Sequence, residues 1–127
     1  MEIIKVKLGQ KESTKVLLIS VTNNYKTDYF LDQMLLFKDG RYSLDCLMIY
    51  NEEGEKLYAR RTAKLLGSKF PDDYIKLAPD QTYSTSLDLD KFFDIKSNVI
   101  EVQYIGFNDD PIVGFHKITS EKLTMSF

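Results

Sequence analysis

Residues 100–104 read Ile100-Glu101-Val102-Gln103-Tyr104, with an apolar side chain at every second position and a polar one between. Successive side chains of a strand point to opposite faces, so this run predicts a strand with one face in a core and the other in water. The same period governs Ile4-Lys5-Val6-Lys7-Leu8, where the lysines share the wet face. It returns in Tyr83-Ser84-Thr85-Ser86-Leu87-Asp88-Leu89.

Residues 15–22, Lys-Val-Leu-Leu-Ile-Ser-Val-Thr, are β-branched and apolar and suit a central strand, closed by a turn at Asn23-Asn24. Tyr29 to Phe37 is the most apolar stretch. Nine residues allow a short helix or a strand, and the aromatic content and following Lys38-Asp39-Gly40 turn favour a strand. Residues 44–50 form another, followed by a hairpin loop, Asn51-Glu52-Glu53-Gly54, in which Gly54 supplies a positive φ. Lys56 to Tyr58 begins the return strand.

Residues 59–72 read as a helical turn or an irregular edge strand, stopped at Pro71. Tyr74-Ile75-Lys76-Leu77 is a strand and Ala78-Pro79-Asp80-Gln81 a turn. Residues 90–95 predict a short helical turn with Asp90 as its cap. Asn108-Asp109-Asp110-Pro111 reads as a loop, and residues 112–118 and 121–127 as closing strands. Many short strands with turn residues between them predict an all-β, antiparallel, immunoglobulin-like sandwich of roughly 7–9 strands. The 127 residues suit a single domain, and no repeat or linker divides them.

Composition narrows the function. Apolar residues at 43% and charged residues at 28% are ordinary for a globular chain with a core. A net charge of −2 lacks the basic excess that a general nucleic-acid binder needs to neutralise phosphates. The N-terminal run is interrupted by charges and carries no secretory signal, and no stretch is long enough for a membrane helix. The expected location is cytoplasmic, or exported if the chain is the mature part of an exported protein. Neither a nucleic acid nor a membrane is an expected partner.

The chemistry-bearing residues are few. Cys46 is the one cysteine, so no internal disulfide can form. It reads as a small buried hydrophobe, the alternative being a reactive thiol with a neighbouring base. His116 is the one histidine and reads as a surface or edge-strand residue. A triad or a Cys46–His116 dyad would need the fold to bring partners to it. The six glycines form no phosphate-binding loop. Paired carboxylates at Glu52-Glu53, Asp72-Asp73 and Asp109-Asp110 read as loop residues, with a weak calcium site as the alternative. No metal or cofactor is expected.

Lys56, Arg60, Arg61, Lys64 and Lys69 lie among Tyr58, Phe70 and Tyr74. Basic residues interleaved with aromatics can grip an acidic partner, and they also guard a sheet edge against aggregation. The candidate binding residues are Arg60, Arg61, Phe70 and Tyr74, because a long, weakly patterned segment is where a sandwich carries a functional loop.

The order of features over residues 17–104 carries a resemblance. The strand-turn Ile19-Ser20-Val21-Thr22-Asn23-Asn24 is followed by Tyr29-Phe30-Leu31, Asp45-Cys46-Leu47-Met48-Ile49, the 51–54 hairpin, and Pro71-Asp72-Asp73-Tyr74-Ile75-Lys76-Leu77-Ala78-Pro79-Asp80. Ser86-Leu87-Asp88-Leu89, Phe92-Phe93-Asp94 and the 100–104 strand complete it. This resembles the small β-sandwich that precedes the catalytic domain in deuterolysin-class peptidyl-lysine metalloendopeptidases. The resemblance implies an immunoglobulin-like fold and an accessory or propeptide-like role. Zinc peptidases of that class need a His-Glu-x-x-His helix, and a chain with only His116 cannot supply it, so protease activity does not carry over. The aromatic anchor common in such domains is also missing near Met34. The leading expectation is a non-enzymatic protein-binding module, an inhibitor or accessory domain acting on another protein such as a peptidase. The alternatives are an immunity-type protein that neutralises a toxin, a purely structural sandwich, and a hydrolase using Cys46 or His116.

Overall fold

The computed structural model describes residues 2–37, 44–60 and 68–127. They form ten strands: β1 (Ile4–Gln10), β2 (Val16–Asn23), β3 (Tyr29–Asp32), β4 (Leu47–Tyr50), β5 (Lys56–Leu57), β6 (Tyr74–Leu77), β7 (Thr82–Asp88), β8 (Val99–Asp110), β9 (Gly114–Thr119) and β10 (Leu123–Ser126). Every strand pair in the sheets is antiparallel. One layer has the order β1-β2-β7, the other β10-β8-β4-β5 with β9 on the far half of β8, and β3-β6 is a separate two-stranded ribbon.

The period-two pattern sets this arrangement. Val6, Leu17, Ile19, Val21 and Leu87 point inward from the first layer, and Leu47, Ile49, Ile100, Val102, Tyr104 and Met125 from the second, into one buried cluster. Burying each such side chain contributes about 1.5–3 kcal/mol, which makes the sandwich the stable pairing of two half-apolar sheets. A parallel bridge between Val6 and Ser120 closes one open side. The chain is therefore an all-β antiparallel sandwich.

Several local readings change. The stretch from Tyr29 is strand only to Asp32, then becomes a 3-10 turn over Gln33–Leu36 that Asp32 caps by accepting from the Met34 N–H. Leu44–Cys46 is a 3-10 turn before β4 rather than part of it. The helical turn near residue 90 spans Leu89–Lys91, and its cap is Asp88, not Asp90. The Lys38-Asp39-Gly40 turn lies outside the described residues. The 51–54 loop does join β4 to β5, with Gly54 at φ 79° and the Asn51 side chain accepting from the Glu53 and Glu55 N–H groups.

The largest change concerns β8. It does not stop at Tyr104 but runs to Asp110, through the residues that read as a loop. Its polarity inverts on the way. Between 100 and 104 the inward side chains are apolar, whereas beyond Gly106 the inward ones are Asn108 and Asp110 and the outward ones include Phe107. Gly106 sits at the inversion, where an added Cβ would meet Leu35 Cδ2 at 3.2 Å and Tyr104 Cε1 at 3.3 Å. Neither neighbour yields readily, because both are buried and the Tyr104 hydroxyl donates to the Leu35 carbonyl at 2.7 Å. Gly106→Ala is expected to destabilise the fold by about 1–3 kcal/mol through overpacking, read as a lowered urea midpoint. An unchanged midpoint would show that Leu35 has room to move.

Candidate functional site

The far half of β8 assembles a buried polar clamp on one face and an exposed aromatic surface on the other. The clamp answers a backbone problem. The N–H groups of Phe30 and Asp32 on β3 point toward β8, and buried backbone donors need partners. Asp110 Oδ1 accepts from Phe30 N at 2.8 Å, and Asn108 Oδ1 accepts from Asp32 N at 3.0 Å. Asn108 Nδ2 donates to the Phe30 carbonyl at 2.9 Å and to the Tyr29 hydroxyl at 2.8 Å. The other Asp110 oxygen receives the Ile112 and Val113 N–H groups at 2.9 and 2.8 Å, shaping the turn into β9. Backbone N–H can only donate and C=O only accept, so the Asn108 amide has one possible orientation.

His116 completes the chain. Its Nδ1 lies 2.9 Å from the Gly114 carbonyl and its Nε2 lies 2.7 Å from the Tyr29 hydroxyl. A carbonyl only accepts, so the neutral ring carries its proton on Nδ1, and Nε2 accepts from Tyr29. That assignment also gives the Tyr29 hydrogen an acceptor while its oxygen receives Asn108. His116 lies on edge strand β9 and is held in a structural bond.

Burial raises the Tyr29 hydroxyl well above its ordinary range, opposed by the Asn108 hydrogen bond and assisted by the Asp110 charge. Burial also raises Tyr104 and the Cys46 thiol, the Cys46 shift being opposed by its hydrogen bond with Tyr104. A thiol held protonated in the core is a poor nucleophile. Cys46 is the small buried hydrophobe that the sequence implies.

The carboxylate pairs serve the backbone too. Glu52 Oε1 accepts from the Asn98 and Val99 N–H groups at 3.0 and 3.2 Å. Asp73 Oδ2 accepts from Lys69 N at 2.7 Å. Asp109 and Asp110 are neighbours in a strand and therefore point to opposite faces.

Of the four candidate binding residues, the fold brings two together. Phe70 stands edge-on between Phe30 and Tyr74, with ring centroids at 5.1 and 5.4 Å, and is 52% exposed. Burial and the charges of Asp32, Asp109 and Asp73 raise the Tyr74 hydroxyl. Arg60 is engaged elsewhere. Its Nη1 donates to the Asp90 carbonyl at 3.1 Å, its Nη2 lies 3.7 Å from Asp94 Oδ1, and its backbone N–H donates to the Phe92 carbonyl. Arg61 lies outside the described residues, as does Lys64.

The surface that the sequence reading missed is the outer face of the β8–β9 hairpin. Phe107 and Phe115 stack with ring centroids 5.7 Å apart and planes within 6°, although they are 54% and 73% exposed. Ile112 in the connecting turn is 62% exposed. Asp109, opposite Phe115 in the register, lies close enough to act on Tyr74. The signal was present in Ile105-Gly106-Phe107, where apolar residues shift from even to odd positions.

Two outcomes follow from the clamp. Asn108→Leu removes three hydrogen bonds and strands a part-buried carbonyl and N–H, so stability should fall by about 3 kcal/mol, measured as a drop in urea midpoint at constant slope. Cys46, Tyr29 and Tyr104 each hold their proton more tightly folded than unfolded. Their contribution is whole below the unfolded values, about 8.5 for Cys and about 10 for Tyr, and is lost as pH rises beyond them. Stability should decline through this alkaline range with a slope approaching about 1.4 kcal/mol per pH unit per group. A flat profile from pH 8 to pH 11, roughly spanning those ordinary values, would contradict the burial of these groups.

No protein-family model matches the chain, and no curated protein matches it. Among solved structures it is similar to the X-ray structure of Northeast Structural Genomics Consortium target SoR45, with a TM-score of 0.54 over 98% of this chain and 83% of that one. The sequence identity is 8%, so the likeness shows a shared fold and nothing of function.

Proposed function

We propose that the chain is a non-enzymatic protein-binding module on an immunoglobulin-like sandwich, docking its partner through the outer face of the β8–β9 hairpin. One observation carries the reading: Phe107 and Phe115 stack on each other in solvent, more than half exposed, with Ile112 exposed in the turn that joins their strands. Exposed clustered aromatics are costly to leave in water and are the side chains that dominate binding energy at interfaces. The antiparallel hairpin holds both rings in place before binding, which lowers the ordering cost.

The residues able to do chemistry support the non-enzymatic reading because the fold occupies them. Cys46 is a protonated core residue, His116 is bonded to Tyr29 and Gly114, and Glu52, Asp73 and Asp110 cap backbone N–H groups. The resemblance to peptidase-associated sandwiches makes a peptidase the first partner to try, with the chain as accessory or inhibitor.

A photo-crosslinking phenylalanine analogue at position 115 tests this in the native cell. The expected result is a discrete adduct with a different protein, lost when Phe107→Ser is added. The same analogue at position 91, on the exposed 3-10 turn, should give none. Equal labelling from both positions would remove the hairpin face as the docking surface.

A further inference from the structure

We infer that the outer face of the β8–β9 hairpin also binds a second copy of this chain, as a face-to-face two-fold dimer. The inference rests on the reading of that face as a docking surface and commits to a second copy as an occupant of it.

The argument comes from the register. Phe107 lies opposite Lys117, and Asp109 lies opposite Phe115. These four outward positions form a quartet whose two diagonals differ in chemistry. One diagonal is the stacked pair Phe107–Phe115. The other joins Asp109, a carboxylate, to Lys117, an ammonium. A two-fold axis lying in the plane of the face, along the aromatic diagonal, turns a second copy onto the first. Each phenylalanine then meets its own counterpart. The rotation exchanges the two sides of the axis, so each Asp109 comes over the partner copy's Lys117, within reach of that long side chain. The Asp109–Lys117 contact is made twice and each ring meets its own copy on the axis, as an isologous interface allows.

The charges are available for this. Neither Asp109 nor Lys117 has an ion pair among the described residues, whose pairs are Lys15–Asp90, Arg60–Asp94, Lys96–Asp94 and Lys122–Glu101. The rings are equally available, being more than half exposed while stacked on each other. A heterologous partner would need no internal symmetry of charge here. An aromatic diagonal crossed by a plus–minus diagonal is the pattern that satisfies itself. Complementary charges of this kind fix register and reject wrong alignments, while the rings contribute most of the affinity.

The test uses charge reversal, read by sedimentation velocity on the full chain, with circular dichroism as the check on folding. The wild type should dimerise. Asp109→Lys and Lys117→Asp should each place like charges in contact and raise the dimer dissociation constant by at least about tenfold. The decisive arm mixes the two variants. In a mixed dimer the introduced lysine faces the introduced aspartate, and the remaining Lys117 faces the remaining Asp109. Dimers should therefore return on mixing, and also in the Asp109→Lys, Lys117→Asp double variant. A wild type monomeric to about 1 mM, a concentration that even weak association exceeds, would overturn the inference. So would a dimer indifferent to both reversals, or variants that stay monomeric when mixed. A monomeric wild type that still gives a heterologous adduct at position 115 would leave the proposed function standing and remove the dimer alone. Loss of both signals would remove the docking surface itself.

Discussion

Two side chains on β8 do the work of a missing strand. β3 is paired with β6 on one side only, and its other N–H groups would be buried without partners if Asn108 and Asp110 did not reach them. A side-chain amide offers a donor and an acceptor at about the spacing of a peptide group, so Asn108 can bond both Phe30 O and Asp32 N. The buried polar groups then close into one network from β3 through Tyr29 to His116 on β9. Fully satisfied networks of this kind specify a single arrangement, because any shift leaves a polar group unpaired in a low-dielectric interior. The position of the ribbon, the course of the 111–113 turn and the set of β9 all depend on it.

The network has a consequence for the opposite face. A strand alternates, so if Asn108 and Asp110 must point inward, Phe107 and Asp109 must point outward. Beyond Gly106 the polar groups are inside and the aromatic ones outside, the reverse of the 100–104 half of the same strand. The exposed Phe107–Phe115 stack is thus the other side of the clamp. Apolar surface held in water by a constraint of this kind is a surface available to a partner, which is why the hairpin is the functional candidate.

The residues that a search for chemistry would single out make contacts within the fold. His116 fixes the Tyr29 hydroxyl, Cys46 fills the core beside Tyr104, and Glu52, Asp73 and Asp110 accept from backbone N–H groups. Arg60 holds the 58–60 segment to the 3-10 turn at Leu89–Lys91 and the residues that follow. Phe70 and Tyr74 do meet, whereas the stacked Phe107–Phe115 pair lies some forty residues further along the chain. Residues brought together by β-sheet topology are generally distant in sequence, and single-chain spacing carries little sign of their meeting.

The sequence by itself determined the antiparallel sandwich. Alternation at 4–8, 83–89 and 100–104 obliges each strand to bury one face, and two such sheets can satisfy one another only face to face. It also determined local turns whose chemistry is self-contained, such as the Asn51–Gly54 loop. Where pattern failed, a tertiary partner had overridden it. Asn108-Asp109-Asp110 has the composition of a loop because polar side chains usually seek water, but the ladder with β9 makes them a strand and the unpaired edge of β3 gives their inward side chains partners. The break in apolar phase at Gly106 was visible, but its meaning was not. An inward amide and an outward phenylalanine are favourable only when a second backbone, far away in the chain, supplies the hydrogen bonds that water would otherwise provide.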